Sequence, residues 1–139
     1  MTTATLAAEK AVVKPTASKP GILVVDDEDA VRQLLQISLQ LHGFRVWTAA
    51  DGVAAQQIFQ TERAGIAAVL LDVRMPGLDG PATLRALEEI DPEVRVAFMS
   101  GNLGNYTEAD LLALGARAVI AKPFDLGRLA GVLRDLVVG

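Results

Sequence analysis

The sequence predicts an α/β fold, a doubly wound five-stranded parallel sheet of (βα)5 type with strand order 2-1-3-4-5. Three observations predict it. Apolar runs at 22–25, 67–71, 94–99 and 118–121 are strand-length and largely unbroken, as in strands buried on both faces. A helical pattern follows each predicted strand, and strict βα alternation implies right-handed crossovers with helices on both faces of the sheet. The runs end in charged or turn-forming residues, which places the polar chemistry at the C-terminal strand tips.

The first twenty residues are rich in Ala, Thr, Lys and Pro without a sustained period, so 1–20 reads as a flexible N-terminal tail and 21–139 as the folded domain. The first strand, 21–26, runs into Asp26, Asp27, Glu28 and Asp29. A helix follows, with Ala30, Val31, Leu34, Leu35, Ile37 and Leu41 as its expected apolar stripe. His42 and Gly43 close it, and the lone histidine reads as a solvated cation at a helix C-terminus. Residues 44–49 alternate, and Arg45 and Trp47 share one side, as suits an edge strand. Asp51 precedes a helix running to about Glu62.

The third strand is the organising stretch. It buries 67–71, delivers Asp72 to its tip and stops at a turn, since Met75-Pro76-Gly77 and Asp79-Gly80 cannot continue a strand. Pro81 suits a first helical position, and that helix stops near Ile90, before Asp91-Pro92. The fourth strand, 94–99, has Ser100-Gly101 at its tip, followed by a Gly/Asn-rich loop at 102–106 that reads as mobile. Thr107-x-x-Asp110 resembles a capping box and opens a short helix to Leu114, ended by Gly115. The fifth strand, 118–121, has Lys122-Pro123 at its tip, and the last helix, 125–138, carries Leu126, Leu129, Val132, Leu133 and Leu136 on one stripe.

Composition narrows the function. At 139 residues, 51% hydrophobic and 22% charged, the chain suits one globular domain. A net charge of -4 argues against a broad nucleic-acid or anionic-membrane surface. The absence of cysteine excludes disulfides, thiolate metal sites and a cysteine nucleophile. No apolar run approaches the ~20 residues of a membrane span, and the N-terminus lacks a secretory signal, so a cytoplasmic protein is expected.

The strand tips converge on one edge of the sheet: Asp26 and Asp27, Asp72, Ser100 and Lys122. Two carboxylates ~4 Å apart repel by about 4 kcal/mol at an effective dielectric of 20. Three acids clustered there must take up protons or hold a cation, and oxygen-only ligands beside a loop suit Mg2+. A carboxylate nucleophile, a metal, an ammonium and a hydroxyl are the parts for receiving a phosphoryl group. The first βα turn, DDED, lacks the glycines and open N–H groups of a P-loop, a dinucleotide fingerprint or a flavin phosphate loop.

On these residues the chain resembles a response-regulator receiver domain of two-component signalling, which is a flavodoxin-like fold. The resemblance covers 21 to about 138 and rests on VVDDED, LLDVRMPGLDG, MSG and AKPF. It implies that Asp72 accepts phosphate from a phosphohistidine on a histidine kinase or phosphotransfer protein. It implies Mg2+ held by Asp72, Asp27, the backbone carbonyl of Arg74 and, partly through water, Asp26. Ser100 and Lys122 would each bond a phosphoryl oxygen, the Lys122-Pro123 bond would be cis, and Arg74 and Asn102 would modulate the acyl-phosphate lifetime. Output would pass to a downstream protein through the fourth helix, fifth strand and fifth helix, a face also open to a homodimer; neither nucleic acid nor membrane is a direct partner. Such a chain catalyses only its own phosphorylation and dephosphorylation. With no segment after the last helix, a single-domain receiver or phosphorelay carrier is expected.

One position departs from the family pattern. An aromatic often stands three residues before the lysine, where this chain has Val119. An unphosphorylated receiver-like scaffold is therefore the alternative. A phosphatase with an Asp nucleophile is disfavoured, because Arg74 stands where that chemistry places a second Asp.

Overall fold

The computed structural model describes residues 19–122 and 125–138. The strands are β1 (Gly21–Val25), β2 (Arg45–Ala49), β3 (Ile66–Asp72), β4 (Val96–Ser100) and β5 (Ala118–Ala121). The helices are α1 (Asp29–Leu41), α2 (Gly52–Glu62), α3 (Gly80–Ile90), α4 (Glu108–Ala113) and α5 (Leu126–Val138). The strands form one sheet in the order β2-β1-β3-β4-β5, every neighbouring pair parallel, as the alternation required.

Strand periodicity divides the core into two layers. Leu23, Val25, Val69, Leu71, Val96 and Phe98 point to one face, where they pack with Ala55 and Phe59 of α2, Leu84 and Leu87 of α3, and Leu111 of α4. Ile22, Val24, Ala68, Leu70, Ala97 and Met99 point to the other, against Leu35 and Leu39 of α1 and Leu129 and Leu133 of α5. The three central strands, β1, β3 and β4, are buried on both faces over most of their length, which explains their unbroken apolar runs. β2 is an edge strand, and Arg45 stacks over the Trp47 ring at 4.7 Å on the shared side expected of it.

Local signals account for the helix starts. Asp51 caps α2 by accepting from Ala54 N, and Asp79 caps α3 by accepting from Ala82 N, with Pro81 in the first turn. The capping box of α4 forms in full: Thr107 accepts from Asp110 N while the Asp110 carboxylate accepts from Thr107 N. His42 closes α1, and its ring Nδ1 lies 2.8 Å from Ser38 O.

Two expectations need correction. The inward face of α1 is Leu35, Ser38 and Leu39, whereas Leu34, Ile37 and Leu41 of the expected stripe are exposed. Apolar residues lie on more than half of this helix's circumference, and packing under β1 and Phe44 selects Leu35 and Leu39. β4 opens at Val96, two residues later than 94. Asp91 holds the preceding chain in a turn, its carboxylate accepting from Glu93 N and its carbonyl from Val94 N.

Candidate functional site

The sheet register brings the strand tips together. Val25 pairs with Leu71, so the next residues on β1 and β3, Asp26 and Asp72, lie side by side. Asp72 pairs with Met99, which puts Ser100 one residue further along β4. Ser100 pairs with Ala121, and Lys122 N donates to Ser100 O at 3.0 Å. Four strands therefore contribute through backbone pairing alone. Gly80 closes the βα turn against this point: a Cβ there would lie 2.5 Å from Asp72 O and 2.8 Å from Val73 Cα, so only glycine lets α3 start so close.

Asp26 is fully buried. Its Oδ1 accepts from Glu28 N at 2.9 Å and its Oδ2 from Lys122 Nζ at 2.9 Å. Its main chain is also held, since Asp26 N donates to Ala49 O at 3.1 Å and Arg32 Nη1 donates to Asp26 O at 2.6 Å. Asp72 is 5% exposed and lies 3.6 Å from Lys122 Nζ. Asp27 is exposed, and ligand oxygens of Asp26, Asp27 and Asp72 all lie within 4.8 Å of one another. Asp27, Asp72, Arg74, Ser100, Asn102 and Lys122 line an open pocket of about 380 Å3, with Asp26 beneath it.

The charges do not balance. Burial pushes the Asp72 carboxyl up to about 6, and repulsion from Asp26 adds to this, while attraction to Lys122 and the Arg74 backbone hydrogen bond pull the other way. For the Lys122 ammonium, burial works downward. The Asp26 hydrogen bond and the charges of Asp72, Asp26 and Glu28 outweigh it and leave Lys122 above its ordinary value. One ammonium is thus set against three clustered carboxylates, and the third raises its affinity for a proton. That excess of negative charge, carried on oxygen ligands alone, fits a small divalent cation.

Contacts made by Glu28 and Arg32 escaped the sequence reading. Glu28 approaches Lys122 at 3.8 Å, and Arg32 ties the loop through Asp26 O and an ion pair with Asp29. The acid run and the three-residue helical spacing from Asp29 to Arg32 were the available signals. Ser100 is buried, and its hydroxyl is engaged locally, accepting from Asn102 N at 2.9 Å and donating to Asn102 O at 2.6 Å. The expected cis bond at Pro123 lies outside the described residues.

The family model described as the response regulator receiver domain matches residues 22–134. The chain belongs to the response regulator receiver domain family. Among relatives of this receiver, the sporulation initiation phosphotransferase F of Bacillus subtilis is 35% identical over 117 residues, covering 81% of this chain and 90% of that protein. The sensor kinase CckA of Brucella abortus is 35% identical over 133 residues, covering 94% of this chain but 14% of that protein. The receiver spans about half the length of several further relatives described as transcriptional regulators. Among solved structures, the CheX-CheY-BeF3-Mg2+ complex of Borrelia burgdorferi contains a chain that superposes with a TM-score of 0.77 at 32% identity, covering 86% of this receiver and 90% of that chain.

Among the described residues, no helix of the receiver is long and apolar enough to cross a membrane.

Proposed function

We propose that Asp72 is the phosphoacceptor of a signalling switch or phosphorelay carrier. The observation that carries the reading is the register that sets Asp72 beside Asp26 and Asp27, with Lys122 Nζ 3.6 Å from its carboxylate. A carboxylate oxygen of Asp72 attacks the phosphorus of a phosphohistidine on a histidine kinase or phosphotransfer protein. A P–O bond forms, the P–N bond breaks, and the imidazole leaves and takes a proton from solvent. At neutral pH Asp72 is mostly ionised, since its carboxyl titrates at about 6. Lys122 neutralises a phosphoryl oxygen, and Ser100 donates to another once its hydroxyl leaves Asn102.

Asp27, Asp72, the Arg74 backbone carbonyl and, partly through water, Asp26 would hold Mg2+. That ion supplies charge neutralisation on the phosphoryl oxygens. The Borrelia complex pairs Mg2+ with BeF3, which supports this choice of ion. Arg74 and Asn102 line the pocket, and on this reading they would modulate the lifetime of the acyl phosphate. The downstream protein target would read the face formed by α4, β5 and α5, which would also serve a homodimer.

The test is intact mass after incubation with Mg2+ and acetyl phosphate. The wild type gains one phosphoryl group and Asp72→Ala gains none. No gain in the wild type, or an equal gain in the variant, overturns the assignment. Partner binding that is indifferent to Asp72→Asn would favour the scaffold reading instead.

A further inference from the structure

The loop after β4 is held at both ends. At its start, Ser100 Oγ donates to Asn102 O at 2.6 Å, and Asn102 Oδ1 in turn accepts from Gly104 N at 2.8 Å. At its end, the Tyr106 hydroxyl donates to Asp79 Oδ2 at 3.2 Å, and Tyr106 N donates to Leu103 O at 3.1 Å. Asp79 is a fixed acceptor, because its Oδ1 caps α3 through Ala82 N at 3.0 Å and its carbonyl accepts from Thr83 Oγ1 at 2.8 Å. The Tyr106 ring packs on the apolar layer that also contains Leu103 and Val119. The charge of the Asp79 carboxylate holds the phenol above its ordinary pKa. A cleft of about 640 Å3 lies between the loop after β3 and the loop after β4, lined among others by Arg74, Met75, Asp79, Leu103 and Tyr106.

The geometry points to Tyr106 as the latch of the conformational switch, holding the loop after β4 on Asp79 until a phosphoryl group on Asp72 recruits Ser100. A serine hydroxyl has one proton to donate, and here Asn102 O receives it. Ser100 cannot donate to a phosphoryl oxygen without withdrawing its proton from Asn102 O. Releasing Asn102 loosens the short hydrogen-bonded run that ends at Tyr106, and the adjoining cleft gives the ring room to leave Asp79. Val119 is a small half-buried side chain with no ring or polar atom to report the change, whereas Tyr106 has both. The latch rests on the reading of Asp72 as phosphoacceptor.

Tyr106 is the sole tyrosine of the chain, so the full protein labelled with 3-fluorotyrosine gives one fluorine resonance from the protein. Beryllofluoride with Mg2+ adds bound-fluoride resonances to the same spectrum, and these report occupancy of Asp72 independently. The expected result is bound fluoride together with a displaced tyrosine resonance. Tyr106→Phe, which keeps the ring and removes the hydroxyl, should then bind the mimic about two- to tenfold more tightly, the range set by the net worth of one hydrogen bond. Bound fluoride with a stationary tyrosine resonance overturns the latch while leaving Asp72 as acceptor. Unchanged affinity in a folded Tyr106→Phe variant also overturns it. Absence of bound fluoride overturns the Asp72 reading, and the latch falls with it.

Discussion

Replacing Asp72 by Asn removes a charge that the folded chain holds unwillingly. The carboxyl titrates at about 6 in the fold against an ordinary 3.8, so ionised Asp72 opposes folding by about two pH units of free energy. At about 1.36 kcal/mol per unit this is about 3 kcal/mol, a net figure that already includes attraction to Lys122. With Asp72 only 5% exposed, solvent screening reduces it modestly, and about 2 to 3 kcal/mol is expected. The sign follows from a raised carboxyl pKa. The stabilising effect of the bound proton is complete below the unfolded value near 3.8 and is lost as pH rises through about 6. Asp72→Asn should therefore be more stable than wild type above about pH 7, and the advantage should shrink between 6 and 4 until it vanishes. Urea unfolding followed by circular dichroism, in EDTA and across that range, measures it. Adding Mg2+ should close the gap at neutral pH, because the ion stabilises the wild-type cluster more. A difference independent of pH, or a wild type more stable than the variant at neutral pH without metal, would refute the electrostatic account.

Three further outcomes follow from the same geometry. The rate of Asp72 phosphorylation by acetyl phosphate should fall about tenfold per pH unit below an inflection at or under about 6, and a rate still climbing past about pH 7 would contradict the assigned nucleophile. Asp27 is exposed, so Asp27→Asn should fold normally yet weaken Mg2+ binding by about tenfold or more, read by titration calorimetry. Gly80→Ala should destabilise the protein by about 2 kcal/mol or more in urea unfolding and slow phosphorylation as well, because the added Cβ meets Asp72 O, Val73 Cα and the Phe98 ring within 2.9 Å.

The fold was legible because its signals were local. The central strands are uninterrupted apolar runs, and each named helix cap is a short-range contact, as with Asp51 to Ala54 or Thr107 to Asp110. The site was legible because parallel pairing carries local signals to one edge without further information: once β1, β3, β4 and β5 adjoin, Asp26, Asp72, Ser100 and Lys122 must meet. What the chain concealed is non-local. Leu34 and Leu35 are adjacent and chemically identical, and only packing against the sheet buries one and exposes the other. The Tyr106 to Asp79 bond joins residues 27 positions apart through side chains whose separate local roles, a loop aromatic and a helix cap, gave no hint of it.

The ammonium that steadies the acid cluster arrives last. Lys122 bonds Asp26 across 96 positions of chain, so a nascent polypeptide still short of its fifth strand carries the carboxylates without their counter-charge. The counter-charge of the acid cluster is therefore in place only once the fifth strand has joined the sheet.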